Sequence, residues 1–195
     1  MFYYILGKVA GKGGNFFVLE TNLGIAFKIF SNKGTIFKLK ENESLRVYIY
    51  SHLKEDGIDF YGFLNEGELR FFEMLTSVSG VGPKTALAIL DLDSFSNLMA
   101  AIFNKNVDVL IHAPGVGRKT AERIVLELQN KINPAEVQGL ESAAQSNLEI
   151  AEVLIGLGYD KFKVKKALEQ LKAENFEGTL EERIKKALKV LNSGN

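Results

Sequence analysis

Gly80-Val81-Gly82-Pro83-Lys84-Thr85-Ala86 recurs 35 positions on as Gly115-Val116-Gly117-Arg118-Lys119-Thr120-Ala121. Each copy lies between a helical stretch and a new helix start. The paired glycines allow a tight turn with positive φ and leave no Cβ in the way of a ligand. The following helix begins with unpaired N–H groups and the positive end of its dipole. A lysine, Lys84 or Lys119, falls in its first turn. Such a helix start holds a phosphate oxygen, and two copies suit a polymer with regularly spaced phosphates. The expected donors are backbone N–H groups near Gly80, Gly82, Gly115 and Gly117, with Val81, Thr85, Val116 and Thr120 in the same turns. Lys84, Arg118 and Lys119 supply charge. Contacts of this kind position a protein on nucleic acid without reading bases. Arg123, one turn further on, is either a second-row phosphate contact or the ion-pair partner of Glu127, and the pairing with Glu127 is favoured.

A nucleotide-binding P-loop is a different object. It needs glycine directly before the lysine, with its first glycine five residues earlier. Pro83 and Arg118 occupy the position before lysine here, and Pro83 has no N–H to offer. No strand precedes either copy. The sequence therefore predicts no ATPase activity in this chain.

The 195 residues carry 24 basic and 24 acidic side chains, a formal net charge of zero. Most nucleic-acid modules are basic. Residues 65–133, which hold both copies, have 7 basic and 8 acidic residues. Any grip on DNA must come from local geometry, or from several copies gathering their basic faces. There is no cysteine and there are only two histidines, His52 and His112. Disulfides, thiolate chemistry and a zinc site are not expected, and neither is a cofactor. No apolar run reaches membrane-spanning length, and the first residues do not read as a signal peptide. A cytoplasmic protein is expected.

Working outward from the repeat, residues 1–64 read as strands. Phe2–Val9, Phe16–Glu20, Ile25–Phe30, Thr35–Lys38 and Leu45–Tyr50 are rich in β-branched and aromatic residues, with turn signals between them. A hairpin joins Tyr48–Leu53 to Ile58–Phe63 through Lys54-Glu55-Asp56-Gly57. Five or six short strands at this spacing predict a small closed barrel of the oligonucleotide-binding (OB) type. From Glu66 the period becomes helical, with Leu69, Phe72 and Leu75 on one stripe. Pro83 suits a first helical position. Helices are expected over Thr85–Leu90, Ser94–Phe103, Val107–Ile111 and Arg118–Lys131. The fold class is thus α+β. Residues 1–64 form the OB-type barrel and residues 65–133 an all-α domain of two helix–hairpin–helix elements. Residues 134–145 show no periodicity and contain Pro134 and Gly139, which predicts a flexible linker. Ser146 with Glu149, and Thr179 with Glu182, look like capping boxes. They open a small three-helix domain over 146–195, with helices near 147–157, 161–173 and 180–191.

The whole chain resembles the RuvA family of Holliday-junction branch-migration proteins. The residues that carry the resemblance are Phe60-Tyr61-Gly62-Phe63, Ser79–Leu90, Pro114–Arg123, Leu157-Gly158-Tyr159 and the order of the domains. Ser79 stands where the family commonly has asparagine, and the linker is short for the family. The resemblance implies a UBA-like C-terminal domain and a homotetramer centred on the barrels, with either one tetramer or two (an octamer) on each junction. It implies a four-way DNA junction held open and square. It also implies recruitment of the motor ATPase RuvB, with the resolvase RuvC as a further partner. On that reading the chain is not an enzyme alone. It is the DNA-binding component of an ATP-driven helicase complex serving recombination, DNA repair and the SOS response.

Glu55-Asp56 taken by itself is an ordinary solvated turn. The resemblance implies that the two carboxylates form an acidic pin at the junction centre, where like charge repels phosphate. Leu157 and Tyr159, flanking a helix end, are the expected partner-binding residues, although the apolar positions of that domain are first of all a core. Two alternatives stand beside this reading: a helix–hairpin–helix glycosylase or lyase, with Asp108 and His112 as the nearest catalytic candidates, and a nuclease accessory subunit.

Overall fold

The computed structural model describes residues 2–173 and 180–193. Two compact units divide near Pro134. The first unit opens with β1 (Tyr4–Lys12), β2 (Phe16–Glu20), β3 (Ala26–Phe30), α1 (Lys33–Lys38), β4 (Ser44–Lys54) and β5 (Gly57–Phe63). The strands close into a barrel in the order β1-β2-β3-β5-β4. All ladders are antiparallel except the short parallel one between β3 and β5, where Ile29 faces Phe60 and Phe30 faces Tyr61. Alternate residues point inward, so Val9, Phe17, Leu19, Ile29, Val47 and Ile49 fill the interior. Gly62 lies where a Cβ would fall 2.4 Å from Ile29 and 2.6 Å from Val47, so no side chain fits between those two walls.

The expected strand over Thr35–Lys38 is instead the helix α1. Asn32 caps it, its Oδ1 accepting from the Thr35 N–H at 2.7 Å. Thr35 and Ile36 turn inward over the barrel end. A local cap thus overrides the β-propensity of Thr35, Ile36 and Phe37.

Helices α2 (Glu66–Thr76), α3 (Pro83–Leu90), α4 (Phe95–Phe103), α5 (Val107–Leu110) and α6 (Arg118–Leu128) complete the first unit. Asn65 caps α2 and Ser94 caps α4. Their shared core includes Leu69, Phe71, Leu75, Ile89, Leu98, Ile102, Ile124 and Leu128. Phe72 joins this core to the outer wall of the barrel. Its ring lies 4.9 Å from Phe63, 5.2 Å from Tyr50 and 5.4 Å from Tyr61, centroid to centroid. Burial of the Tyr61 phenol in this cluster, beside Asp59 and Tyr50, pushes its pKa up to about 12. Lys33 N–H to Asp91 Oδ1 at 2.6 Å and Tyr3 Oη to Glu66 Oε1 at 2.5 Å tie barrel and helices at two more points.

The second unit holds α7 (Pro134–Gly156), α8 (Lys161–Ala173) and α9 (Leu180–Ser193). Residues 134–145, expected as a flexible linker, are helical and belong to α7. Pro134 stands at the first helical position, where its missing N–H breaks no bond. Gly139 costs about 1 kcal/mol relative to alanine without ending the helix. Ser146 lies inside this helix and starts none, while Thr179 falls outside the described residues. Ile150, Leu154, Val164, Ala167, Leu171, Ala187 and Leu191 form the core of this unit. Among the described residues, no single helix is long and apolar enough to cross a membrane.

Candidate nucleic-acid interface

The sequence repeat is a structural repeat. Helices α2 and α3 frame the first hairpin, and α5 and α6 frame the second. Gly80 has φ +89° and Gly115 has φ +83°, a conformation that L side chains rarely adopt. In each turn the next residue is a buried valine, Val81 or Val116. Its N–H bonds back at 3.0 Å, Val81 to the Val78 carbonyl and Val116 to the Ala113 carbonyl. These valines, counted above among the DNA-binding residues, therefore anchor the turns from inside and have no N–H to spare.

The second glycine of each pair behaves differently. Gly82 (φ −85°, ψ 171°) and Gly117 (φ −83°, ψ 168°) are the N-caps of α3 and α6. Any residue adopts that extended backbone. A Cβ built on either meets no protein atom within 4 Å. Neither dihedral nor packing demands glycine at 82 or 117. Glycine is a favoured N-cap residue, and its missing Cβ leaves the space over each helix start open. The first N–H groups of a helix have no intrahelical partner, and neither α3, whose Pro83 has no N–H, nor α6 has a side chain capping them.

The charges around these helix starts are unequal. Lys84 and Lys119 are exposed, and among the described residues neither forms an ion pair. Arg118 is drawn sideways, 3.6 Å from Asp108 and 3.3 Å from Glu122. Arg123 does not pair with Glu127. It donates from Nη1 to the Ser79 carbonyl at 3.0 Å, reaching from α6 to the turn before Gly80. The Thr85 hydroxyl lies 3.8 Å from the position a Cβ would take on Gly115. The first hairpin is thus braced by a side chain from the second, and Thr85 of the first lies near Gly115 of the second, which spacing alone did not reveal.

The acidic turn sits on a ribbon of its own. β1 pairs with β4 only as far as Tyr48, and β3 meets β5 only at Phe60 and Tyr61. Beyond Ser51–Phe60 the rungs His52–Asp59, Leu53–Ile58 and Lys54–Gly57 carry no third strand. The β4–β5 ribbon therefore projects from the barrel wall and ends in the two-residue loop Glu55-Asp56. Both acids are exposed, and neither has an ion-pair partner among the described residues. Behind them the Lys54 ammonium holds Asp59 Oδ2 at 2.8 Å. That hydrogen bond raises the lysine pKa above its ordinary value. On the stem, Leu53 is 75% exposed and Ile58 51% exposed.

Asp108 and His112 do come together, in a shallow cleft of about 320 Å³ that Leu92, Asp93, Asn106 and Val109 complete. No Phe, Tyr or Trp lines it to stack an extruded base, and Asp108 faces Arg118. Among the described residues, no three His, Asp or Glu side chains converge as a metal site would.

In the second unit Tyr159 is half-buried. It packs on the core, and its hydroxyl donates to Asn192 Oδ1 at 3.2 Å. It therefore clasps the end of α7 to α9. Leu157 is 61% exposed, and Phe162, which the sequence reading passed over, is 76% exposed at the start of α8.

Comparison with known proteins follows the same division of the chain. Residues 72–131 match the SAM-like helix-hairpin-helix tandem family, and residues 1–62 match the RuvA N terminal domain. Over 199 residues the chain is 37% identical to the Holliday junction branch migration complex subunit RuvA of Clostridium tetani, covering 98% of this chain and 99% of that one. The chain belongs to the RuvA family. The RuvA subunit of Thermotoga maritima is 36% identical over 187 residues, covering 96% of each chain. That of Rickettsia akari is 32% identical over 199 residues, with 96% and 97% covered. RuvA relatives thus match over nearly their full length and over nearly all of this chain.

Proposed function

We propose that this chain is the non-catalytic, Holliday-junction-binding subunit of a branch-migration complex. The observation that carries the proposal is the pair Gly82 and Gly117, open to solvent at helix starts without a side-chain cap, where neither dihedral nor packing excludes a side chain. A phosphate oxygen fits that space, takes the free N–H groups and meets Lys84 or Lys119. Two such grips on one body suit successive phosphates of a duplex arm, independent of base sequence. Glu55 and Asp56, at the tip of the projecting ribbon, act as the acidic pin. They repel phosphate at the junction centre and so favour strands that part into arms.

On this reading a homotetramer gathers four ribbons at the centre of an open, square junction, and the C-terminal unit recruits the RuvB motor. Leu157 and Phe162 form the docking face, while Tyr159 supports it from behind. RuvC is a further partner, and the setting is cytoplasmic recombination and repair. Full membership of the RuvA family supports the whole, as does the near-neutral charge, which leaves geometry to make the selection.

Gel-shift competition between a synthetic four-way junction and linear duplex of the same sequences tests the proposal. Junction preference is expected, together with ATP-driven branch migration once the motor is added. Glu55→Gln with Asp56→Asn should strengthen plain duplex binding and erode that preference. Equal affinity of the unaltered chain for junction and duplex would refute the assignment.

A further inference from the structure

The pin carries a basic residue at its base. Lys54 directly precedes Glu55, and a free ammonium there would attract the phosphates that the two carboxylates repel. The fold withdraws it. In the β4–β5 ladder Lys54 pairs with Gly57 and His52 with Asp59. Lys54 and Asp59 are therefore diagonal neighbours on one face of the ribbon, the separation at which long side chains meet across strands. Their contact is 2.8 Å, with the lysine 41% and the aspartate 21% exposed. Gly57, opposite Lys54, has no side chain to stand between them.

We infer that Asp59 is a positioning residue for junction selectivity: it holds the Lys54 ammonium down along the stem and leaves Glu55 and Asp56 as the charges that DNA meets at the tip. The inference rests on the acidic-pin reading above. Formal charge shows why the pair matters. Lys54, Glu55, Asp56 and Asp59 sum to −2, carried at the tip as long as lysine and stem aspartate neutralise each other. Replacing Asp59 by asparagine cuts the negative charge from −2 to −1 and frees a cation within reach of phosphate. Both changes weaken the repulsion.

The experiment measures junction and duplex affinity by fluorescence anisotropy across a salt series, using the full chain. The variants are Asp59→Asn, Asp59→Glu, Lys54→Gln, the Asp59→Asn/Lys54→Gln double variant and Glu55→Gln/Asp56→Asn. Asp59→Asn should raise duplex affinity about fivefold, the upper range for one exposed ion pair. It should also steepen the fall of log affinity with log salt by about 0.9 for each Lys54 that now neutralises a phosphate. A change that merely loosened the hairpin would not steepen that slope. Asp59→Glu should restore ordinary behaviour. The double variant, with no lysine to release, should lose both the added affinity and the added slope.

An unchanged duplex affinity and slope for Asp59→Asn, with Glu55→Gln/Asp56→Asn still strengthening duplex binding, overturns the inference and leaves the pin reading standing. If the tip variant also has no effect, the pin reading itself falls. An Asp59→Asn gain that persists undiminished without Lys54 overturns the withdrawal of the lysine, because the aspartate would then act only through its own charge.

Discussion

Alanine at Gly117 separates what the fold needs from what a ligand needs. The residue sits at φ −83°, ψ 168°, and its Cβ would meet nothing within 4 Å. Alanine there should leave the fold intact and change its stability by no more than about 1 kcal/mol, because the narrowed unfolded ensemble is offset by glycine's advantage over alanine at an N-cap. The melting temperature should stay within a few degrees of the unaltered chain. Binding should move the other way. A methyl group in the open space above the α6 N-terminus keeps a phosphate oxygen from the N–H groups. Losing one hydrogen bond to a charged group costs about 1.5–3 kcal/mol, which is about tenfold to a hundredfold in affinity.

Gly82→Ala should behave alike at the other hairpin. Gly115→Ala is the contrasting control. At φ +83° an L side chain costs about 1–2 kcal/mol, so this variant should melt several degrees lower. The assay is anisotropy with a labelled four-way junction, paired with thermal melting of the same samples. If Gly117→Ala and Gly82→Ala fold normally and bind junction DNA as tightly as the unaltered chain, no phosphate approaches there and the grip has been misplaced.

Two further outcomes follow from the charges and the aromatic cluster. Lys84→Ala and Lys119→Ala should each reduce the salt slope by about 0.9, and Arg118→Ala by less, because Asp108 and Glu122 already engage that guanidinium. Equal slopes for all three variants would contradict the unequal pairing. Tyr61 has its pKa raised to about 12, above the free phenol value of about 10. The stability it contributes is therefore present in full below pH of about 10 and lost as pH rises through about 12. Denaturant unfolding between pH 9 and 11, compared with Tyr61→Phe, checks this. Parallel pH dependences would mean that the phenol is not buried as described.

The barrel, the paired hairpins and the final helices could be read from strand spacing, turn residues and the repeat, because each leaves a local periodic signal. The failures were local contests decided by tertiary or capping bonds. Thr35–Lys38 has strand propensity, yet one Asn32 oxygen turns it into helix. Pro134 and Gly139 look like breakers, but a proline at a first position and a single glycine do not stop a helix. Within the site, glycines 80, 82, 115 and 117 looked equivalent in sequence. Only dihedrals and free space distinguish the two that make the turn from the two that leave room. Arg123 reaching Ser79 and Lys54 reaching Asp59 join residues whose pairing depends on the meeting of two hairpins and on strand register. Neither is written in any one segment.

Phe72 carries a mechanical consequence. Its ring is shared between the helical core and the barrel wall at Tyr50, Tyr61 and Phe63, and Tyr50 and Tyr61 lie on the same two strands that run out to Glu55-Asp56. The root of the ribbon and the helical core that carries the hairpins therefore share one packed aromatic cluster. On the proposed reading, a pull on DNA held at α3 and α6 would pass through that cluster on its way to the acidic tip. The spacing from grip to tip would work as a fixed gauge, set by protein packing and indifferent to the sequence of the DNA passing through.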